Sequence, residues 1–180
     1  MFHKFMYKYT SIFVLISLVL FFINIFYFSF FHIKQESFQE KIIEQDDSKF
    51  QKISVSRINY NKDLGKCLIL DDEIQLCDSD QHKYHEMMVH FPVYYLSKLE
   101  RVLVIGGGDL MNVRELIKYT TIKQIFVLEL DKKVTKVTTR HFDIEDARSD
   151  HRVKIIYGDA AKTLPSMRGY FDLILIDLTE

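Results

Sequence analysis

The sequence has 180 residues, enough for one domain of ordinary size, and its formal net charge at pH 7 is only −1. Charges of both signs are interspersed, so the composition gives no electrostatic argument for nucleic acid as a partner. The two cysteines, Cys67 and Cys77, match neither a zinc site nor a disulfide framework, and we expect both to be reduced thiols.

The N-terminal region contains a long apolar run. Residues 11–31 carry no charge, proline or glycine, and their length suits a helix that crosses the hydrocarbon core of a membrane. Bulky phenylalanines lead directly into His32, where a secretory signal would have small residues at a cleavage site. We therefore expect an uncleaved transmembrane anchor over residues 1–33 and not a buried core helix. Lysines flank the run on both sides, so their distribution does not decide its orientation.

Two segments of different composition follow the apolar run. Residues 34–49 are polar, carry charges of both signs and predict a juxtamembrane linker. Apolar and polar residues then alternate over 50–58, 66–70 and 73–76, which is typical of short antiparallel strands. We expect these strands to form a small β-strand domain over residues 50–80.

A regular alternation of helices and strands occupies the rest of the chain. Residues 81–98 have helical spacing, with Pro92 as a kink. The short, nearly continuous apolar runs that follow suit strands buried on both faces of a parallel sheet. This order predicts a doubly wound, Rossmann-like α/β domain over residues 81–180. The predicted strands are 101–105, 124–130, 153–157 and 171–177, and the predicted helices are 111–119, 132–142 and 160–167.

The turn after the first of these strands is the most informative motif. Residues 102–109 read VLVIGGGD, and glycines between a strand and a helix let the backbone approach a ligand closely. The dinucleotide pattern G-x-G-x-x-G fails because Met111 occupies the place of its last glycine. Glu129 follows about twenty residues later, at the end of the next strand, where a carboxylate can accept from a ribose diol.

Asp109 gives this turn a predicted ligand preference. A methyltransferase loop receives the carboxylate of S-adenosylmethionine here, and an acid would repel it by about 4 kcal/mol at about 4 Å and a dielectric constant of about 20. The same acid would attract an ammonium group by a similar amount. The turn therefore favours a nucleoside that has an amine and no carboxylate, such as decarboxylated S-adenosylmethionine. A second role for Asp109, as a cap of the following helix, is compatible with the first.

Six motifs together resemble the polyamine aminopropyltransferase family, of which spermidine synthase is a member. The resemblance covers residues 50–180 and implies a small β-hairpin domain followed by a methyltransferase-like Rossmann domain. It also implies transfer of an aminopropyl group from decarboxylated S-adenosylmethionine to a diamine such as putrescine, which gives spermidine and methylthioadenosine. The motifs are FQKI at 50–53, LDDEIQLCDSDQHKYHEM at 70–87, VLVIGGGD at 102–109, LELD at 128–131, YGDA at 157–160 and ILIDLTE at 174–180.

The resemblance also implies the roles of individual residues. Asp177 would accept the proton of the attacking amine, and neither a metal ion nor a prosthetic group is expected. Without the resemblance, Gln51 and Gln75 would be taken as solvent-facing strand positions, and Tyr84 and His85 as ordinary residues on a helix face. The implied nucleoside site comprises Gln51, His85, Gly106, Gly107, Gly108, Asp109, Glu129, Asp159 and Ala160, and the implied diamine site comprises Gln75, Tyr84, Asp177 and Glu180.

Three departures from the family pattern leave alternatives open. Leu110 stands where a glycine commonly follows GGGD, and Glu180 stands where the last motif usually has Asp. The sequence ends after the fourth predicted parallel strand, so we expect a fragment or a truncated gene product. The alternatives are a methyltransferase that uses intact S-adenosylmethionine and a membrane-tethered inactive module. We expect the domain to face the cytosol, where both substrates occur, and the sequence leaves open whether it forms homo-oligomers.

Overall fold

The computed structural model of this chain describes residues 16–27, 38–60, 62–167 and 169–178. The chain divides into two compact units between Phe38 and Gln39. Residues 16–27 form helix α1, whose large apolar side chains are exposed. In the described part of the chain, no helix is both long enough and apolar enough to cross a membrane. The remainder of the expected anchor, residues 1–15 and 28–33, lies outside the described residues.

The first sheet has four strands in the order β1-β2-β3-β4. Strands β2, β3 and β4 pair antiparallel, as their alternating sequences predict. Strand β3 starts four residues before the expected 66–70, and β2 ends two residues after the expected 50–58. The strand bounds are Phe38–Asp47 for β1, Lys52–Tyr60 for β2, Lys62–Leu70 for β3 and Glu73–Cys77 for β4.

The expectation of a linker over 34–49 is wrong for Phe38–Asp47, which forms strand β1. Most of this strand is exposed, so its sequence shows no apolar alternation. Besides its pairing with β2, ion pairs link this strand to a distant helix. Glu44 accepts hydrogen bonds from Arg140 and His141, and Asp46 accepts one from Lys133 at 2.8 Å. Partners more than eighty residues away leave no local signal in the sequence.

The expectation of two reduced thiols is also wrong, because Cys67 and Cys77 form a disulfide. Leu70 on β3 pairs with Glu73 on β4, and the two residues between them, Asp71 and Asp72, both have positive φ. The turn sets the register of the first pairs, and an irregularity between Leu68 and Ile69 shifts it by one residue, which places Cys67 opposite Cys77. Count and spacing alone carry no information about such a cross-strand pair.

The second sheet confirms the expected parallel α/β architecture, with strand order β7-β6-β5-β8. All three pairings are parallel. The chain runs outward from β5 to β7 and then returns to place β8 on the other side of β5. This reversal forms a crevice at the carboxyl ends of β5 and β8, where open α/β sheets bind ligands. The elements in chain order are α2 (Gln81–Tyr94), β5 (Arg101–Gly106), α3 (Met111–Leu116), β6 (Gln124–Glu129), α4 (Lys132–His141), α5 (Glu145–Ser149), β7 (Val153–Tyr157), α6 (Ala160–Thr163) and β8 (Leu173–Asp177).

Strand β5 lies at the centre of the hydrophobic core. Val102, Leu103 and Val104 are fully buried, which explains why the sequence here is continuously apolar and does not alternate. The core continues through β6, α3, α4 and the inner residues of β2 and β3. Both sheets therefore contribute to the packing that fixes the end of β5 and the glycine turn after it.

Leu110 closes the glycine turn in a strained conformation. Its φ of 61° is left-handed, and its side chain is fully buried. The left-handed conformation costs an L-residue about 1–2 kcal/mol, whereas truncation of a buried leucine costs about 2–5 kcal/mol. Because burial outweighs the strain, a leucine is stable at a position where the family pattern has glycine.

Substitutions at Leu110 should therefore show an unusual order of stability. Leu110→Ala should lower the free energy of unfolding by about 3 kcal/mol, and Leu110→Gly by about 1 kcal/mol less, because glycine adopts this φ without strain. Val113 in α3 is the matched control, where Val113→Gly should be less stable than Val113→Ala by about 1 kcal/mol. Urea denaturation measures all four variants. An alanine variant at 110 more stable than the glycine variant would contradict the account.

Candidate active site

The glycine turn is packed against the ends of two neighbouring strands. A Cβ added to Gly106 would lie 2.0 Å from the carbonyl oxygen of Asp177, and one added to Gly108 would lie 2.6 Å from Oε2 of Glu129. The backbone N–H of Gly107 donates to the Asp177 carbonyl at 2.9 Å. The glycines therefore admit two acidic residues of the chain itself, in addition to any ligand.

Asp177 lies at the carboxyl end of β8 and has a hydrogen-bond donor on each oxygen. The Tyr84 hydroxyl donates to Oδ1 at 2.9 Å, and Nδ2 of Asn112 donates to Oδ2 at 2.7 Å. Burial, followed by the negative charge of Asp109, raises the pKa of the Asp177 carboxyl. Burial and Asp177 together raise the pKa of Tyr84 to about 12, so the phenol stays protonated at neutral pH. The arrangement is a fixed carboxylate at the end of a parallel strand.

Asp109 makes contacts in two directions. Its Oδ1 accepts from the backbone N–H of Met111, the first residue of α3, at 2.8 Å. This contact matches the expected capping role of Asp109. Its Oδ2 lies 3.8 Å from Nε2 of His85, a residue that is almost fully buried. Burial alone would lower the pKa of His85, but Asp109 outweighs it and the net pKa is raised. Asp109 thus stands between a histidine and the Asp177 carboxylate.

One cluster among the described residues is compact enough to consider for a metal ion. Ligand atoms of His85, Asp109 and Asp177 all lie within 4.8 Å of one another. Nδ1 of His85 contacts the carbonyl oxygen of Gln81 at 2.5 Å, and its Nε2 faces Asp109. The two carboxylates of the cluster are acceptors that also suit an organic ammonium group.

Glu129 forms the other acidic wall of the crevice. It ends β6, is 7% exposed, and accepts the Asp131 backbone N–H at 2.6 Å. Burial is the main cause that raises the pKa of Glu129 to about 6, with help from the charges of Asp131 and Asp109. Gln51, immediately before β2, donates to Asp131, the N-cap of α4, at 3.3 Å. This contact links the segment before the second strand to the acidic pair of Glu129 and Asp131.

These groups border a cavity of about 430 Å³, large enough for a nucleoside. A second cavity beside it shares Gln51 and contains Gln75. Asp159 lies at the mouth and caps α6 by accepting from the backbone N–H of Ala161 at 2.9 Å. Seven of the predicted nucleoside and diamine residues line the first cavity: Gln51, Gly106, Gly107, Glu129, Asp159, Ala160 and Asp177.

The remaining predicted residues divide into three groups. The first group does not line the cavity but adjoins its acidic residues, and it comprises Gly108, Asp109 and His85. Tyr84 contacts Asp177 from α2. Gln75 lies on β4, where its side chain donates to the Glu73 carbonyl at 3.2 Å. Glu180 lies outside the described residues. Asn112 was not among the predicted residues, because its contact is with Asp177, sixty-five residues later in the chain.

Comparison with known proteins agrees with this geometry. Residues 81–180, more than half of the chain, match the family model of the spermine/spermidine synthase domain. The chain belongs to the spermine/spermidine synthase family. A polyamine aminopropyltransferase of Leptospira biflexa serovar Patoc is 37% identical over 141 residues, which are 78% of this chain and 49% of the relative. Spermidine synthase 2 of Arabidopsis thaliana is 35% identical over 143 residues, 78% of this chain and 41% of the relative.

Solved structures show the same fold. A spermidine synthase in complex with the transition-state analogue AdoDATO has a TM-score of 0.72 at 28% identity and matches 78% of this chain and 47% of its own. The spermidine synthase of Thermotoga maritima gives a TM-score of 0.71 at 28% identity, over 76% of this chain and 48% of its own. This member of the spermine/spermidine synthase family thus spans about half the length of the relatives that it matches.

The buried acid of this family member should make stability depend on pH. The pKa of Glu129 is about 6 in the folded chain, against an ordinary value of 4.5, so the folded state keeps a proton that the unfolded chain has released. Stability is therefore lost as pH rises from about 4.5 to above 6, by about 2 kcal/mol in total. Glu129→Gln removes this charge and should be more stable than the parent by about that amount at pH 7.5.

Denaturation of the parent and the Glu129→Gln variant at several pH values measures the difference. It should vanish near pH 4 and reach its full size above pH 7. Glu145→Gln is the control, because the pKa of that exposed carboxyl is lowered by its hydrogen bond with Arg148 and not raised. A constant difference across the pH range would contradict the account of Glu129.

Proposed function

We propose that the chain takes part in polyamine biosynthesis as an aminopropyltransferase. The reaction transfers an aminopropyl group from decarboxylated S-adenosylmethionine to a diamine such as putrescine, giving spermidine and methylthioadenosine. The observation that carries the proposal is the Asp177 carboxylate, hydrogen-bonded on both oxygens and within reach of Asp109 at the switch point of the sheet. Membership of the family and the likeness to spermidine synthase structures support it.

The nucleoside binds in the cavity between the glycine turn and the first sheet. Glu129 accepts hydrogen bonds from the ribose hydroxyls, and Asp159, with Ala160 beside it, contacts the adenine amino group. Gln51, which immediately precedes β2, closes the cavity through its contact with Asp131. The diamine lies toward Tyr84 and Asp177, with Gln75 and Glu180 at its far end.

Electrostatics selects the co-substrate. Asp109 and Asp177 place two carboxylates in a partly buried cluster, and His85 offsets part of that charge. A carboxylate 4–5 Å away is repelled by about 3–4 kcal/mol per acid at an effective dielectric constant of about 20, and an ammonium is attracted by as much. The site therefore accepts a propylamine tail and rejects the zwitterionic tail of intact S-adenosylmethionine.

The chemical step is a displacement at the carbon next to the sulfonium. A free primary amine has a pKa of about 10.4, so the acceptor must lose a proton before it attacks. Asp177 accepts this proton while Tyr84 directs the carboxylate through its hydrogen bond. The amine nitrogen then bonds to the propyl carbon, the carbon–sulfur bond breaks, and methylthioadenosine leaves as a neutral product. Alignment of the two substrates supplies most of the acceleration.

Asp177→Asn should separate catalysis from nucleoside binding. The amide keeps the shape of the side chain but accepts no proton, so formation of methylthioadenosine should fall by about 100-fold or more. Affinity for decarboxylated S-adenosylmethionine should fall by less than product formation does, because Asp109 keeps its charge beside the propylamine tail, as calorimetry would show. An Asn variant as active as the parent would overturn the assigned role. A parent that binds the nucleoside and forms no product would indicate an inactive module.

We further propose that residues 11–31 anchor the chain in a membrane with its catalytic domain toward the cytosol. The uncharged run supports the anchor, as do the exposed apolar side chains of α1 within it. The orientation follows from the location of both substrates. After expression in a bacterial host, the chain should stay in the membrane fraction on alkaline extraction, and proteases should digest its domain in inverted vesicles. Release by alkali, or protection in those vesicles, would contradict the proposal.

A further inference from the structure

Asn112 is a buried polar side chain next to the proposed base. It lies in the first turn of α3 and is fully buried. Its Nδ2 donates to Oδ2 of Asp177 at 2.7 Å, and its Oδ1 has no hydrogen-bond partner among the described residues. An unpaired buried carbonyl lowers stability, so fold stability alone does not explain an asparagine at this position.

The orientation of the Asn112 amide follows from its neighbour. If the amide were rotated by half a turn, two acceptor oxygens would face each other at hydrogen-bond distance, which is repulsive. The amide therefore donates to Asp177. Since Tyr84 donates to the opposite oxygen, the two donors together fix the plane of the carboxylate.

The local backbone explains how Asn112 reaches Asp177. Leu110 turns the chain through a left-handed conformation, and Asp109 caps the N–H of Met111, so α3 starts directly behind the glycine turn. The first turn of α3 thus lies against the end of β8. Leu110, one of the two residues that allow this contact, is a position at which the sequence departs from the family pattern.

Two opposing influences act on the charge of Asp177. Burial and Asp109 favour its protonated form, whereas His85 and Tyr84 of α2 and Asn112 of α3 favour the ionised form. A protonated carboxyl accepts no proton from an amine. A donor on Oδ2 therefore matters for a base in this position, and Asn112 supplies it.

We propose that Asn112 is a positioning residue for the transfer reaction: it holds the Asp177 carboxylate ionised and oriented toward the acceptor amine. This inference rests on the proposed function for its role in turnover. The hydrogen bond from Asn112 that favours the ionised carboxylate does not depend on turnover.

Two substitutions of similar size test the inference in the full-length chain. Asn112→Leu removes the donor, so kcat should fall by about 10- to 100-fold while the KM for the nucleoside changes by less than about twofold. The acidic limb of the pH profile of kcat should move to higher pH, because the ionised form of Asp177 loses a donor. Asn112→Asp places a second carboxylate against Asp177, so it should move the acidic limb to a still higher pH than Asn112→Leu does.

A control separates this role from a structural one. Thr135→Val also removes a buried oxygen that lacks a partner among the described residues, but in α4 and away from Asp177. It should leave the pH profile unchanged. A structural role for Asn112 predicts the reverse pattern, namely a less stable Asn112→Leu variant whose pH profile matches that of the parent, and this result would overturn the inference.

Carbon-13 NMR of aspartate-labelled protein gives a readout that does not need turnover. The carboxyl signal of Asp177, assigned with Asp177→Asn, should titrate at higher pH in Asn112→Leu than in the parent. If the parent transfers no aminopropyl group but this shift occurs, the proposed function fails and the inference stands as a statement about Asp177. If the parent is active and the shift is absent, the inference fails alone.

Discussion

The site depends on one packing constraint: the acidic residues that end β6 and β8 pack directly against the glycine turn. Gly106 lies against the backbone of Asp177, and Gly108 lies against the carboxylate of Glu129, with no space for a Cβ at either position. Any other residue at position 106 would clash with the backbone of β8, and one at position 108 would displace the Glu129 side chain. The same contacts bring Asp177 and Glu129 to either side of Asp109. The acidic character of the crevice is thus a direct consequence of the glycine turn.

Carboxylates held this close lower the stability of the folded chain. Burial raises the pKa of both Glu129 and Asp177, and the charge of Asp109 adds to both shifts, so each ionised carboxylate costs free energy at neutral pH. A cationic ligand relieves that repulsion, and the relief contributes to its binding. The chain also offsets part of the cost internally, through His85 beside Asp109 and through the donors of Tyr84 and Asn112. Strained sites of this kind are expected where a protein binds or reacts.

The sequence predicted those features that depend on local pattern. Continuous apolar runs identified the four parallel strands, because strands buried on both faces have no polar side, and the GGGD motif identified the turn. Prediction from the sequence failed where contacts between distant residues determine the structure. Strand β1 has ion-pair partners in α4, and the cysteine pair depends on the register shift between Leu68 and Ile69. Asn112 was missed because its role requires β8, which lies sixty-five residues later in the chain.

The central claim is that Asp109 makes the crevice select an ammonium tail over a zwitterionic one. Calorimetric binding of decarboxylated and intact S-adenosylmethionine to the parent chain and to Asp109→Asn tests it most directly. The account predicts that the parent binds the decarboxylated nucleoside about 100-fold more tightly, and that the variant loses at least about tenfold of this preference. Tighter binding of intact S-adenosylmethionine, or an equal preference in parent and variant, would contradict it.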